Sequence, residues 1–143
     1  MPYDPELVQP MREELLRVGA SELRTAEEVD AALGASFDGT TLLVVNSVCG
    51  CAAANARPAV MIARGHERQP DRIVTVFAGQ DLEATDRART FLPGYRPSSP
   101  SIALFRAGEP VFMLERHEIE GREAGEIAVD LRAAFDRYCT PLD

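Results

Sequence analysis

Residues 41–56 read TLLVVNSVCGCAAANA, and this stretch decides which fold the chain adopts. Its first part, Thr41 to Val45, is apolar or β-branched without alternation, which is typical of a strand buried on both faces of a sheet. Its alanine-rich end favours a helix. Between the two parts, Cys49 and Cys51 flank a single glycine. The sequence therefore predicts a buried strand over 41–46 that leads directly into a helix, with two thiols at the junction.

The position of this thiol pair indicates reactive sulfur rather than a structural crosslink. A helix N-terminus has unpaired backbone N–H groups and partial positive charge, and both favour a thiolate over a thiol. In the chain-entropy model a disulfide across three residues contributes only about 1.6 kcal/mol, and strain in so small a ring offsets that gain. Because residues i and i+2 of a helix point about 200° apart, one cysteine must lie outside the helix. Gly50 tolerates the backbone angles that this needs, and the alternative is two incidental buried cysteines.

Length and composition place the chain among ordinary globular proteins. It has 143 residues, of which 45% are hydrophobic and 27% charged, so we predict a single domain over 1–143 with a helical extension over 1–20. Its three cysteines, an odd number, argue against a secreted cross-linked scaffold. The sequence has neither a signal-peptide pattern nor an apolar run long enough to span a membrane, so we expect a cytoplasmic location and no membrane partner.

The charge pattern disfavours nucleic acid as a partner. The formal net charge is −8, and all 15 basic residues are arginines. These arginines are scattered along the chain and form no cluster of the kind that binds a phosphate backbone. We therefore expect no nucleic-acid partner.

The rest of the sequence predicts alternating helices and strands. Strands are expected at 22–24, 72–78, 101–105 and 111–115, and helices at 4–19, 25–33, 52–63, 81–91 and 122–138. Prolines at positions 10 and 58 are expected to bend their helices, or to split the first one. Asp81 is expected to cap the helix that follows it. Residues 115–120 are expected to form a strand end and a solvated loop.

This order of elements predicts an α/β fold in three layers, with helices on both faces of a central mixed sheet. The arrangement is thioredoxin-like, a three-layer α/β/α fold with one extra helix at the N-terminus. The thiols follow the second strand, where thioredoxin-like proteins carry theirs. The segment 98–101, Ser-Ser-Pro-Ser, falls where that fold places a cis-proline beside the thiols.

Seven segments resemble the bacilliredoxin family, whose members are thioredoxin-fold proteins with a Cys-Gly-Cys site. The segments are PMREEL (10–15), VVNSVCGCAA (44–53), ARPA (56–59), QPD (69–71), VTVFAGQD (74–81), PSSPS (97–101) and RHEIEG (116–121). They keep their order over nearly the whole chain, which makes the resemblance specific. One small departure is Ala54, where the resemblance leads us to expect glycine.

The resemblance implies reduction of mixed disulfides between protein cysteines and bacillithiol, a low-molecular-weight thiol. Carried onto this sequence, Cys49 is the attacking thiolate that takes bacillithiol from the modified protein. Free bacillithiol, or Cys51 as the resolving thiol, then releases it. Pro100 is implied to follow a cis peptide bond that turns the Ser99 backbone toward the substrate. The expected partners are bacillithiolated cytosolic proteins and the system that reduces bacillithiol, with bacillithiol as co-substrate and no tightly bound cofactor; weak disulfide reductase or isomerase activity is also implied.

Four more residues next to the thiols are candidates for substrate binding. Gly50 lies between the cysteines, while Asn46, Ser47 and Arg57 flank them and carry donors for a thiolate or a substrate carboxylate. For Arg57 the alternative is an ordinary solvated arginine early in a helix.

A second function remains open, that of a Cu(I) or zinc carrier. Soft thiolates suit both metals, and Cys49 and Cys51 together with a histidine or Cys139 form a candidate ligand set. We expect Cys139, however, to be a buried small residue or a frayed terminal thiol, and His66 and His117 to lie at the surface.

Overall fold

The computed structural model describes residues 2–34 and 37–139, and over these residues helices and strands alternate. The helices are α1 (Pro5–Leu16), α2 (Ala26–Leu33), α3 (Arg57–Ala63), α4 (Leu82–Arg89), α5 (Arg116–Ile119) and α6 (Ala124–Tyr138). A π-helical turn (Ala52–Ala56) lies directly before α3. The strands are β1 (Ser21–Glu22), β2 (Thr40–Asn46), β3 (Arg72–Phe77), β4 (Ser101–Arg106) and β5 (Glu109–Leu114). The predicted elements are thus present, and their ends lie within three residues of the predicted ones.

The five strands form one mixed sheet in the order β1-β3-β2-β4-β5. β1, β3 and β2 are parallel, while β4 and β5 run antiparallel to their neighbours. β2 lies at the centre and all seven of its residues are buried. Its residue Val45 pairs with Ser101 at the start of β4. The end of β2 and the beginning of β4 therefore lie at the same edge of the sheet.

Alternate residues of β2 point to opposite faces of the sheet, and each face is covered by helices. Leu42 and Val44 belong to a cluster with buried residues of α1, α3 and α6. Leu43 and Val45 belong to a second cluster with α2 and α4. A strand with helices on both sides has no polar face, which explains its unbroken apolar run. The predicted three-layer α/β/α arrangement is confirmed.

The two prolines inside helices behave differently from each other. α1 continues through Pro10, which is exposed, so water can bond the carbonyl that this proline leaves without a donor. At Pro58 the helix widens instead. Pro58 has no N–H for the Ala54 carbonyl, and the preceding Arg57 N–H donates five residues back to the carbonyl of Ala52. The predicted bend at position 58 is therefore a π-helical turn.

Two local expectations are wrong. Asp81 occupies the N-cap position of α4, yet its side chain makes no capping hydrogen bond and instead accepts two from Arg12 at 2.7 and 3.0 Å. Residues 115–120 do not form an open loop, because α5 occupies most of them. Glu115 and Glu118 form a reciprocal capping box around its first turn. Glutamate is not a favoured N-cap, so the sequence gives little sign of this helix.

No helix within residues 2–34 and 37–139 combines the length and apolar character needed to cross a membrane.

Candidate active site

The thiol pair lies where the central strand passes into the helix, as the sequence predicts. β2 ends at Asn46, and helical conformation begins at Gly50 and continues to Ala63. The Cys49 carbonyl accepts hydrogen bonds from the N–H groups of residues 52 and 53 at 3.0 and 3.3 Å. Cys49 is thus the last residue before the helix, and it forms a disulfide with Cys51 across a Cα–Cα distance of 5.5 Å. Both cysteines are half-buried, so they do not differ in exposure. They differ in position, because Cys49 precedes the helix and Cys51 lies in its first turn.

Gly50 separates the cysteines without needing an unusual backbone. It has no positive φ, and a Cβ added to it would meet nothing within 4 Å. The expectation that this position requires the conformational freedom of glycine is therefore wrong. Gly50 is exposed, and its missing side chain leaves the approach to the disulfide open at that point.

The predicted cis peptide bond is present between Ser99 and Pro100. Pro100 comes directly before β4, and Ser101 of that strand pairs with Val45 near the end of β2. The cis bond and the loop that carries Cys49 (residues 47–49, the thiol loop) consequently share one edge of the sheet. Pro100 itself is buried and Ser99 is half-buried. The binding of substrate by the Ser99 backbone stays a prediction.

A buried hydrogen-bond network lies beneath the thiol loop. It is centred on Asn46, a residue that is only 1% exposed. Its Oδ1 accepts from the Ser47 N–H and from Arg57 Nη1, both at 2.9 Å. Its Nδ2 donates to the carbonyl of Met11 in α1 at 3.2 Å. Ser47 Oγ in turn accepts from the Cys49 N–H at 3.1 Å. The network fixes the backbone that carries the first cysteine.

Arg57 belongs to this network and not to the surface. Its side chain is 2% exposed, with Nε donating to Glu14 Oε2 at 3.0 Å and Nη1 donating to the Ser47 carbonyl at 3.0 Å. Arg57 shares the buried face of α3 with small and branched apolar residues. The alternative reading, an ordinary solvated arginine, is therefore wrong. Asn46 and Arg57 lie below the loop, where they position it, and their predicted contact with substrate does not fit this burial.

A third part of the site comes from the segment around α5. Arg116 Nη1 donates to the carbonyl of Ser99 at 3.2 Å, and the Arg116 N–H donates to Ser98 Oγ at 3.4 Å. On the other side, Asn55 in the helix after the thiols donates to the carbonyls of Ile119, at 3.2 Å, and of residue 122. This segment thus joins the thiol-bearing helix to the cis-proline loop. The sequence predicts a solvated loop here, although RHEIEG is among the segments that carry the resemblance.

Cys139 lies far from the thiol pair. It is 2% exposed, and burial raises the pKa of the Cys139 thiol, while a hydrogen bond with Thr40 acts in the opposite direction. Thr40 begins β2, whereas Cys49 follows its end, and a strand of seven residues spans roughly 20 Å. The prediction of a buried Cys139 is confirmed. A role as a resolving thiol for Cys51 is excluded in this conformation.

The described residues offer no third ligand beside the two reactive thiols. Among residues 2–34 and 37–139, one group of three or more candidate ligands lies close enough for a metal ion, namely Glu115, His117 and Glu118. Neither thiol of the Cys-Gly-Cys site belongs to that group. His66 contacts Asp136 at 2.7 Å instead. The four-ligand set that a structural zinc ion needs is therefore not assembled around the disulfide among these residues.

Comparison with known proteins agrees with this geometry. A family model described as "Disulphide isomerase" matches residues 3–139. A bacilliredoxin of Salinibacter ruber is 59% identical over 140 residues, covering 97% of this chain and 82% of the relative. A bacilliredoxin of Shouchella clausii is 54% identical over 134 residues, covering 94% of this chain and 93% of the relative.

Solved structures show the same fold at low sequence identity. A putative oxidoreductase with a thioredoxin fold aligns with a TM-score of 0.57 at 18% identity, over 82% of this chain and 93% of that one. Fasciola hepatica thioredoxin aligns with a TM-score of 0.55 at 15% identity, over 82% of this chain and 98% of its own. Because it combines this fold with a Cys-Gly-Cys disulfide at a helix start and close similarity along its length, the chain belongs to the bacilliredoxin family and is a thiol–disulfide oxidoreductase.

Proposed function

We propose that this protein reduces mixed disulfides between protein cysteines and bacillithiol. The observation that carries the proposal is the Cys49–Cys51 disulfide at a helix start, on the same sheet edge as the cis Ser99–Pro100 bond. It is supported by relatives named bacilliredoxins that are 54% and 59% identical to this chain.

In the first step Cys49 acts as the nucleophile. Its thiolate attacks the bacillithiol sulfur of the mixed disulfide, so that a new bond joins Cys49 to bacillithiol. The old sulfur–sulfur bond breaks, and its electron pair leaves with the cysteine of the substrate protein. That thiolate takes a proton from water and the substrate protein is released. The N–H groups at the helix start favour the attacking thiolate.

The second step frees Cys49 by one of two routes. The Cys51 thiolate attacks the Cys49 sulfur, which forms the Cys49–Cys51 disulfide and expels bacillithiol as its thiolate. Alternatively, a second bacillithiol thiolate attacks the bound bacillithiol sulfur, which gives bacillithiol disulfide and free Cys49. The internal disulfide then needs two electrons from a thiol reductant, which is bacillithiol together with the system that reduces it.

The surroundings of the thiols suit a large and variable substrate. Gly50 leaves the disulfide open on one side, and the Ser99 backbone lies half-buried on the same sheet edge. Bacillithiol is in this scheme a co-substrate and not a tightly bound cofactor. The substrates are bacillithiolated proteins of the cytosol. The same exchange chemistry permits weak disulfide reductase or isomerase activity toward ordinary protein disulfides.

The test is a comparison of leaving thiols on one carrier protein. The carrier is prepared as its mixed disulfide with bacillithiol, with glutathione and with free cysteine, and release of each thiol is followed by intact mass. We expect the bacillithiol adduct to be cleared fastest, Cys49→Ser to be inactive, and the matched control Cys139→Ala to keep full activity. Equal rates for the three adducts would reject bacillithiol as the preferred thiol, and the protein would then be an oxidoreductase without preference among these thiols. Full activity of Cys49→Ser would reject the whole scheme.

A further inference from the structure

We infer that the ion pair between Glu14 of α1 and Arg57 sets the redox equilibrium of the Cys49–Cys51 couple. The inference requires only that this pair is the redox couple of the oxidoreductase, and it holds for any thiol substrate. It makes the N-terminal helix a working part of the active site, although the sequence suggests an added extension.

A continuous set of contacts leads from α1 to the first cysteine. The Glu14 carboxylate, on a side chain 29% exposed, accepts from Arg57 Nε at 3.0 Å. Arg57 Nη1 donates to the Ser47 carbonyl at 3.0 Å and to Asn46 Oδ1 at 2.9 Å. Asn46 Oδ1 also accepts from the Ser47 N–H, and Ser47 Oγ accepts from the Cys49 N–H at 3.1 Å. The guanidinium is thus bonded to the residue two positions before Cys49.

The charge of Arg57 acts differently on the two redox states. A guanidinium remains protonated in proteins, so a positive charge is always present under the thiol loop. The disulfide carries no charge, whereas the reduced pair carries a Cys49 thiolate that this charge stabilises. Glu14 opposes part of that stabilisation because its carboxylate lies against the guanidinium. Removing the negative charge of Glu14 therefore favours the reduced state and makes the disulfide a stronger oxidant.

A purely structural role would leave a different mark. An ion pair that only holds α1 against α3 stabilises the oxidised and reduced forms equally. Its loss then lowers the free energy of unfolding of both forms by the same amount. The equilibrium constant between disulfide and dithiol does not move in that case. This constant therefore separates a positioning and tuning role from simple packing.

The experiment compares Glu14→Gln with Glu13→Gln in the full chain. Glutamine keeps the size of residue 14 and an oxygen for Arg57 Nε, and it removes only the charge. Glu13 is the neighbouring residue on the same helix and is exposed, which makes it a matched control for net charge. Each protein is equilibrated with dithiothreitol mixtures at pH 7, quenched with acid and alkylated. The oxidised and reduced fractions are then read from intact masses.

We expect Glu14→Gln to shift the constant about tenfold toward the dithiol, which is about 30 mV for a two-electron couple. Glu13→Gln should change it by less than about twofold, because an exposed charge is screened. Glu14→Asp, which restores the charge, should return most of the shift. A shift toward the disulfide, or one no larger than that of Glu13→Gln, would overturn the inference.

Urea unfolding of the oxidised and reduced Glu14→Gln proteins provides a second reading. The free energy of unfolding of the reduced form should rise relative to that of the oxidised form by about 1.4 kcal/mol, the equivalent of a tenfold shift in the constant. An equal loss in both forms would also overturn the inference. Since dithiothreitol is the only reductant, the result does not depend on bacillithiol. A negative outcome here leaves the proposed reaction standing, and failure of that reaction leaves this measurement valid.

Discussion

Replacement of Asn46 by alanine tests whether this residue supports the thiol loop from below. The side chain makes three hydrogen bonds, from Ser47 and Arg57 to its Oδ1 and from its Nδ2 to the Met11 carbonyl. Leaving one buried group without a partner costs about 1–3 kcal/mol. Ser47 is 6% exposed and its N–H loses its acceptor outright, so the full cost applies there. Arg57 keeps two other acceptors, and Met11 is half-buried and within reach of water.

Summing one full cost and two partial ones, we expect Asn46→Ala to lose about 3 kcal/mol of unfolding free energy. For a chain of this length that corresponds to a fall in Tm of about 10 °C. Urea unfolding of the oxidised protein measures the loss directly, and the m-value should stay unchanged if the two folded states are equally compact. Gln9→Ala, on the exposed side of α1, is the control and should change stability by less than about 0.5 kcal/mol.

The same variant can refute the reasoning. A loss below about 1 kcal/mol would mean that the network contributes little. If such a stable variant still bound substrate poorly, Asn46 would be a substrate contact, as its position in the sequence suggested. A large loss of stability with near-normal exchange chemistry in the folded fraction would instead support the buried role.

Three further predictions concern other parts of the molecule. Asp81 accepts two hydrogen bonds from Arg12, and these bonds raise the pKa of Arg12. Arg12→Met leaves the Asp81 carboxylate, on a side chain only 14% exposed, without this partner and should cost about 2–4 kcal/mol in urea unfolding; a cost under about 1 kcal/mol would contradict this. Burial raises the pKa of the Cys139 thiol, so the folded state holds this proton up to a higher pH than the unfolded state does. The protonated thiol therefore contributes free energy of unfolding that is fully present below about pH 8.5, the ordinary pKa of cysteine, and is lost as pH rises through the folded pKa. Wild type should therefore lose up to about 1.4 kcal/mol per pH unit relative to Cys139→Ala above pH 8.5, and parallel profiles would contradict it. Ala107 and Gly108 form the β4–β5 turn with φ of 52° and 82°, so Ala107→Asn, which tolerates positive φ, should add about 0.5–1 kcal/mol in the same unfolding assay; a loss would contradict it.

The fold was predictable from the sequence because local patterns agreed with one another. The run Thr41 to Val45 has no polar alternation, which is typical of a strand covered on both faces, and β2 is such a strand. Thr25 and Glu28 form the capping box that their spacing indicates. Glycine and proline marked the ends of most elements. α5 escaped prediction because its N-cap is Glu115, a residue type that seldom caps helices.

The site was predictable only where its residues are neighbours in sequence. The spacing of Cys49 and Cys51 and the strand before them indicate a reactive thiol pair. The roles of Asn46 and Arg57 do not, because their partners in α1 lie 35 and 43 residues away. An arginine early in a helix is usually solvated, and only the packing of α1 against α3 shows that this one is buried. Glu14 was for the same reason invisible as a functional candidate.

The central claim is that Cys49 takes bacillithiol from a modified protein, and one measurement tests it most directly. The Cys51→Ser variant is incubated with a bacillithiol-modified carrier protein, after which the intact masses of both and the modified peptide are determined. Without the resolving thiol the intermediate should accumulate, with bacillithiol on Cys49 and the carrier returned to its free thiol. Bacillithiol found on Cys139, or a carrier that keeps its bacillithiol throughout, would contradict the account.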